Sequence, residues 1–373
     1  MTKRFAALVP VLVAAMAVAT GCGTTSDSSS SGSSGGGGGA KTIKAAWIYV
    51  GSTDDAGWTA AHDAGRKYAA SHLGSKLQTT FKENVPEGPQ TSQVIDDLVR
   101  DGNKIIFATS FGYQDAMVKA AKKYPDVKFE QATGSKLAPN LSEYYGAGED
   151  SIYLAGMAAG AASKSGHLGY VAPFPIPEVI RDINAYALGA QTTHPGATVK
   201  VVWTNTWFDP DKESKAAQGL ASAGADVLGQ SQDSPSTGQV AKSQGLKWTG
   251  YDSDQQRFAP KNWLTGAVYN WGPYYTKQIQ SAMKGTWKSA SYYGSIKDGF
   301  TDIAPFGSSV SPATRSKIDA KKKAIEDGSF YEFQGPLYDQ SGKLRVKRGD
   351  KLSLGDILGM TWFVKGVVGS PKG

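Results

Sequence analysis

Residues 45–66 read AAWIYVGSTDDAGWTAAHDAGR. An apolar run comes first, then small polar residues, then a stretch whose small apolar residues recur as they do along a helix. A strand therefore ends near Val50, a loop turns, and a helix starts near Gly57. Asp54 and Asp55 stand where helix N-caps are favoured. Trp58 falls in the first turn, with His62 four residues on along the same face. A large aromatic at the carboxyl end of a strand is either core packing or a wall on which a ligand stacks.

The same strand–loop–helix unit repeats outward from this stretch. LQTTFKEN precedes a helix near 88–101, KIIFATS a helix near 113–123, and VKFEQAT and a helix near 150–163 close a first set. GHLGYVAPF opens a second set, with helices near 177–192, 210–223 and 236–244 separated by VKVVWTNT and ADVLGQS, and LKWTGYD at its end. LTGAVYNWG and a helix near 273–285 read as a return crossing, and a further helix covers 311–327. Such alternation with short connections implies an α/β chain with parallel sheets flanked by helices. Two sets in tandem imply two lobes. The first takes 41–165 plus about 266–290, and the second takes 166–265 plus about 291–373.

The N-terminus is of another kind. MTKRFAALVPVLVAAMAVATGC has Lys3 and Arg4, an apolar run, then small residues, the pattern of a signal peptide over 1–21. It runs into Cys22, the only cysteine in the chain, in an Ala-Thr-Gly-Cys order similar to the bacterial lipobox. A lone exported cysteine has no disulfide partner, so the reading is a lipoprotein acylated at Cys22. The Ser/Gly-rich run over 22–40 reads as a flexible tether to the membrane. The formal charge of +7 drops by two, to +5, without Lys3 and Arg4. The positive residues are scattered among acids, which suits a solvated surface and excludes a nucleic-acid partner.

Ligands of open parallel sheets sit beyond the carboxyl ends of the strands. The residues there are Asp54, Asp55 and Trp58; Ser110 and Phe111; Phe174; Asn205 and Trp207; Asp252 and Asp254; and Asn270 and Trp271. Each aromatic alone is ordinary packing. Their recurrence across both sets, interleaved with Asp and Asn, points to a cleft for a planar, hydrogen-bonding ring. No chemistry of turnover emerges. The four histidines, His62, His72, His167 and His194, form no zinc-binding spacing. No phosphate-binding loop of the Walker type occurs, and the dinucleotide fingerprint is missing. No catalytic residue, metal or cofactor is expected. Asp54–Asp55 and Asp252/Asp254 read as helix caps or ligand-hydroxyl acceptors ahead of an acid–base pair or calcium ligands. His62 reads as a histidine packed in the core or behind the ligand-contacting residues, with contact to the ligand as the alternative.

Four longer motifs carry a resemblance: GSTDDAGWTAAHDAGRK, NKIIFATSFGYQDAMVKAAKKYPDVKFEQATG, TNTWFDPDKE and NWGPYY. With the VAPFPIPEVIRDINAYALGAQ stretch, they resemble the basic membrane protein family, which includes purine nucleoside receptor lipoproteins, over nearly all of 41–366. The resemblance implies a two-lobed, periplasmic-binding-protein-like fold of type I with the ligand cleft between the lobes. It also implies a monomeric solute-binding lipoprotein of an ABC importer, delivering a purine, adenine in particular, to a permease and its ATPase. By the resemblance Trp58 stacks on the base, Asp55 (then Asp54) bonds its edge, Phe111 with Ser110 borders the cleft, and Trp207 with Phe174 closes the other side. Asp252 holds the place of a ribose-binding aspartate. The family's returning strand carries a lysine where this chain reads AVYNWG, with Asn270 and Trp271 instead, which favours a free base over a nucleoside. Two rival readings keep the same architecture: a membrane-tethered ligand sensor and a sugar-binding protein.

Overall fold

The computed structural model describes residues 42–373. The readings of a signal peptide, a lipidated Cys22 and a tether all fall outside the described residues.

The first set folds as read. Strands β1 (Ile43–Ile48), β2 (Leu77–Lys82), β3 (Ile105–Ala108) and β4 (Lys128–Ala132) alternate with helices α1 (Trp58–Leu73), α2 (Pro89–Arg100) and α3 (Gln114–Lys123). A strand the sequence pattern passes over, β5 (Leu141–Gly146), follows β4. Its polar positions, Ser142 and Glu143, break the apolar run that marks the other strands. The chain then enters helix α4 (Gly148–Ala162) and a second series. This series is β6 (His167–Ala172), α5 (Pro177–Thr193), β7 (Thr198–Trp203), α6 (Pro210–Ser222), β8 (Val227–Gln230), α7 (Ser236–Gln244), β9 (Lys247–Gly250) and β10 (Trp263–Tyr269). Helix α8 (Trp271–Met283) and strand β11 (Ser291–Gly294) come next, then β12 (Thr301–Ile303) and α9 (Pro312–Glu326). The tail holds β13 (Leu337–Tyr338), β14 (Leu344–Val346), α10 (Leu354–Leu358) and β15 (Val367–Val368).

Two sheets result. One has the order β11-β5-β4-β3-β1-β2, and the other β12-β10-β9-β8-β6-β7-β15. All pairings in the first are parallel. The second has one antiparallel pair, β10 with β12. β11 lies near residue 291 yet completes the sheet built from residues 43–146, and α8 packs on α1. The backbone passes between the sheets three times, near residues 147, 270 and 295–300. The crossings are bonded to one another and near their neighbours: Ala147 N donates to Gly294 O at 2.7 Å, and Asn270 N to Phe300 O at 2.7 Å.

Helix α4, grouped by pattern with the first set, packs instead on α5 of the second series. It is buried from Gly148 to Gly160, the acidic first-turn residues Glu149 and Asp150 included, and beyond that turn it is apolar or small on every side, as a fully buried helix is. Glycine lets the two backbones approach: a Cβ on Gly156 would meet Tyr186 O at 2.3 Å, and one on Gly189 would meet Tyr153 O at 2.0 Å. Among the described residues no helix is long and apolar enough to cross a membrane.

Candidate functional site: an aromatic cleft between two sheets

The strand ends of both sheets border one cavity of about 510 Å³. Trp58, Ser110, Phe111, Tyr144, Tyr145 and Tyr292 come to it from the first sheet's side, and Phe174, Trp207, Asp233 and Tyr251 from the second. The start of α5 adds Glu178 and Arg181. Trp58 is held rigidly. Its indole Nε1 donates to Thr109 O at 2.6 Å, and the Trp271 ring meets it edge-on at 5.4 Å. Across the cavity Phe174 and Trp207 pack at 5.5 Å in a T-shaped pair.

Five of the residues singled out from sequence line this cavity: Trp58, Ser110, Phe111, Phe174 and Trp207. The others have different places. Asp55 is a capping carboxylate. It accepts from the backbone N–H of Gly57 (2.9 Å), Thr59 (2.8 Å) and Ala60 (2.9 Å) at the start of α1. A carboxylate there is stabilised by the unpaired N–H groups and the helix dipole. Asp54 is exposed. Asp254 caps a short turn by accepting from Gln256 N at 3.0 Å. Asn205 is an exposed turn residue with a left-handed φ of 56°. Asn270 begins α8, and its side chain donates to Gly299 O at 3.2 Å.

Trp271 and His62 stand behind Trp58 rather than in the cavity wall. The Trp271 ring is stacked between His62 at 4.1 Å and Tyr269 at 5.0 Å. His62 Nδ1 bonds the Tyr275 hydroxyl at 2.5 Å, and burial holds the imidazole well below its ordinary pKa. Asp252 is a special case. It is buried, has a left-handed φ of 66°, and neither carboxylate oxygen has a hydrogen-bond partner among the described residues. It adjoins Tyr251 in the cavity wall.

The charged groups in the wall escaped the sequence reading. Glu178 accepts from the Tyr145 hydroxyl at 2.7 Å, and burial pushes its carboxyl pKa up. Asp233 is driven well above the carboxylate range by burial and by the nearby Asp55 and Glu213. Arg181 pairs with Glu149 at 3.1 Å, both 2% exposed. Burial works against its charge, but Tyr293, Glu149 and Asp182 hold its guanidinium above its ordinary value. Among the described residues that line the cavity, Arg181 is the only cation. The strand-end rule applied to GQSQD after β8 would have found Asp233. Nothing in the sequence distinguishes Glu178 or Arg181 from ordinary residues at the start of a helix.

The two sides also touch directly. Ser253 Oγ and Gln255 Nε2 both donate to Ala56 O, at 2.6 and 3.0 Å. Gly57 rests against the Asp233 backbone so closely that a Cβ would lie 2.3 Å from Asp233 O.

Two α/β halves, linked by three crossings and converging on one aromatic cleft, make up a periplasmic-binding-protein-like fold. Solved structures with the same fold include a solute-binding protein from Conexibacter woesei, with a TM-score of 0.66 and 21% identity over 78% of this chain and 98% of that one. One from Aeropyrum pernix K1 has a TM-score of 0.68 and 16% identity over 78% and 92%. The chain belongs to the Bmp family, described as ABC transporter substrate-binding protein PnrA-like, whose profile matches residues 42–333. It is 43% identical to a purine-binding protein of Brucella abortus over 87% of this chain and 93% of that one. It is 35% identical to a Haloferax volcanii protein named, provisionally, as an ABC transporter glucose-binding protein, over 86% and 81%. A nucleoside-binding protein of Lactococcus lactis is 25% identical over 71% and 74%. The chain is thus an ABC transporter substrate-binding protein and not an enzyme.

Proposed function

We propose that this protein captures a purine, adenine or a close relative, between its halves and delivers it to an ABC permease and its ATPase. It would work at the extracytoplasmic membrane face as a monomer anchored by a lipid on Cys22. The halves we infer are 42–147 with 271–298, and 148–270 with 299–373. One observation carries the reading: Trp58 from the first half and Trp207 with Phe174 from the second border the same cavity. A flat ring placed there stacks on both sides, each contact adding about 1–3 kcal/mol by analogy with base–aromatic stacking. Glu178 and Asp233 accept from ring N–H and amino groups, and Arg181 donates to a ring nitrogen or carbonyl. Such buried groups reject analogues that leave them unpaired. Asp252, buried beside Tyr251 with both oxygens free, supports a further polar contact. The 43% identity to a purine-binding protein points the same way.

The test is a thermal-shift panel of adenine, guanine, hypoxanthine, adenosine, guanosine, ribose and glucose. Ligand at 100 times its dissociation constant adds about 2.7 kcal/mol to stability. A purine gives the largest shift, and Trp58→Ala weakens its binding by roughly 10- to 100-fold. Glucose belongs in the panel because of the Haloferax relative. A shift with sugars alone refutes the purine reading.

A further inference from the structure

The outer end of the cleft is built from a part of the chain beyond the family profile, which stops at residue 333. That part is fastened to the second sheet. β15 pairs with β7. The Asn184 amide donates to Trp362 O at 2.8 Å and accepts from Val364 N at 2.9 Å. Phe363 lies flat against Trp203, with ring centroids 6.2 Å apart at 8°. Within this frame α10 is fixed by a capping box between Ser353 and Asp356, and Ile357 is buried in the core. Leu354 and Leu358, four residues apart, share the other face. Both line the ligand cavity while remaining 48% and 45% exposed. Phe111, from the opposite half, lines it at 60% exposure.

The cavity is therefore graded. Trp58, Asp233 and Tyr251 form a buried end, at 9%, 5% and 3% exposure. The open lining includes the two leucines and Phe111, with the exposed Glu87, whose carboxylate accepts from Gly112 N at 3.0 Å, beside Phe111. A volume of about 510 Å³ falls in the range of roughly 300–1,000 Å³ that houses drug-sized ligands, and a bare purine ring leaves room in it.

Resting on the purine reading, we propose that Leu354, Leu358 and Phe111 are specificity-determining residues, and that the cleft prefers a purine carrying an apolar alkyl or aryl substituent to the unsubstituted ring. The ring takes the buried end, where the aromatics and carboxylates are. The substituent takes the open end, where its carbons displace water from the leucines.

The test is calorimetric titration of the full chain, wild type and Leu354→Ser/Leu358→Ser, with adenine, N6-benzyladenine and 9-benzyladenine. Two attachment points are used because either edge of the ring can face outward. One benzyl derivative binds the wild type about 10-fold or more tightly than adenine, and in the double variant that ratio falls toward one. Both leucines are half-exposed, so the variant keeps its fold, checked by circular dichroism. Adenine binding with neither derivative preferred overturns this proposal alone, and so does a preference unchanged in the variant. No binding by any of the three overturns it together with the purine reading.

Discussion

Gly57→Ala tests whether the two halves must close to hold a ligand. The new Cβ would lie 2.3 Å from Asp233 O and 2.6 Å from Asp233 Cα, both backbone atoms, and real Cβ contacts do not fall under 3.0 Å. Relief requires the halves to part here by at least about 0.7 Å. The same movement stretches the neighbouring bonds to Ala56 O. The Gln255 bond, now 3.0 Å, passes the geometric limit for a hydrogen bond, and the Ser253 bond, now 2.6 Å, weakens. One bond lost and one weakened amount to about 1–2 kcal/mol. That free energy is withdrawn from the closed form, so the dissociation constant rises by roughly 5- to 30-fold. Gly57 itself does not line the cavity, so the loss acts through closure rather than through a ligand contact. The assay is tryptophan fluorescence or calorimetric titration with the purine that ranks first in the thermal panel. Gly219→Ala serves as the control, since nothing lies within 4 Å of that position. A folded Gly57→Ala protein with wild-type affinity refutes the argument.

Two further outcomes concern stability. Glu130 is fully buried, accepts from the Tyr274 hydroxyl at 2.8 Å and Trp287 Nε1 at 2.6 Å, and has its pKa raised by burial from 4.5 to about 7. The folded state thus holds a proton the unfolded chain releases. The associated stability, roughly 3 kcal/mol, is present below pH 4.5 and lost as pH rises through 7. Glu130→Gln flattens the fall in melting temperature between pH 5 and 8, and a slope equal to wild type refutes the assignment. Arg181→Met strands Glu149 as a buried charge and costs about 3–5 kcal/mol in urea unfolding. Adding Glu149→Gln recovers much of that loss, and a double variant no more stable than the single one contradicts the pairing.

The α/β alternation was legible because parallel strands buried on both faces read as apolar runs, and Trp58, Phe111 and Trp207 were legible because strand ends are where ligands sit. The roles of the carboxylates were not. Asp55 and Asp233 both follow strands, and residue type cannot tell one aimed at backbone N–H groups from one aimed at a cavity. The helix start at Trp58 decides it, by putting three donors within reach of Asp55. Trp271 follows a strand too, yet α8 turns its ring inward onto His62. Glu178 and Arg181 read as a solvated helix start until the fold buries Arg181 against Glu149 and leaves Glu178 half-buried in the cavity wall. Leu354 and Leu358 escaped because the tail has no periodicity long enough to announce a helix.

The placement of β11 bears on how the chain is made. Its partner strand, β5, ends at Gly146, and β11 begins only at Ser291. At a synthesis rate of about 5–20 residues per second, β5 waits on the order of 10–30 s for its neighbour. During that interval the first sheet has a bare, hydrogen-bond-hungry border, open to misjoining with other nascent chains. A binding partner that shields this border, or a slow commitment of the first half to its final shape, would serve the newborn protein before any ligand does.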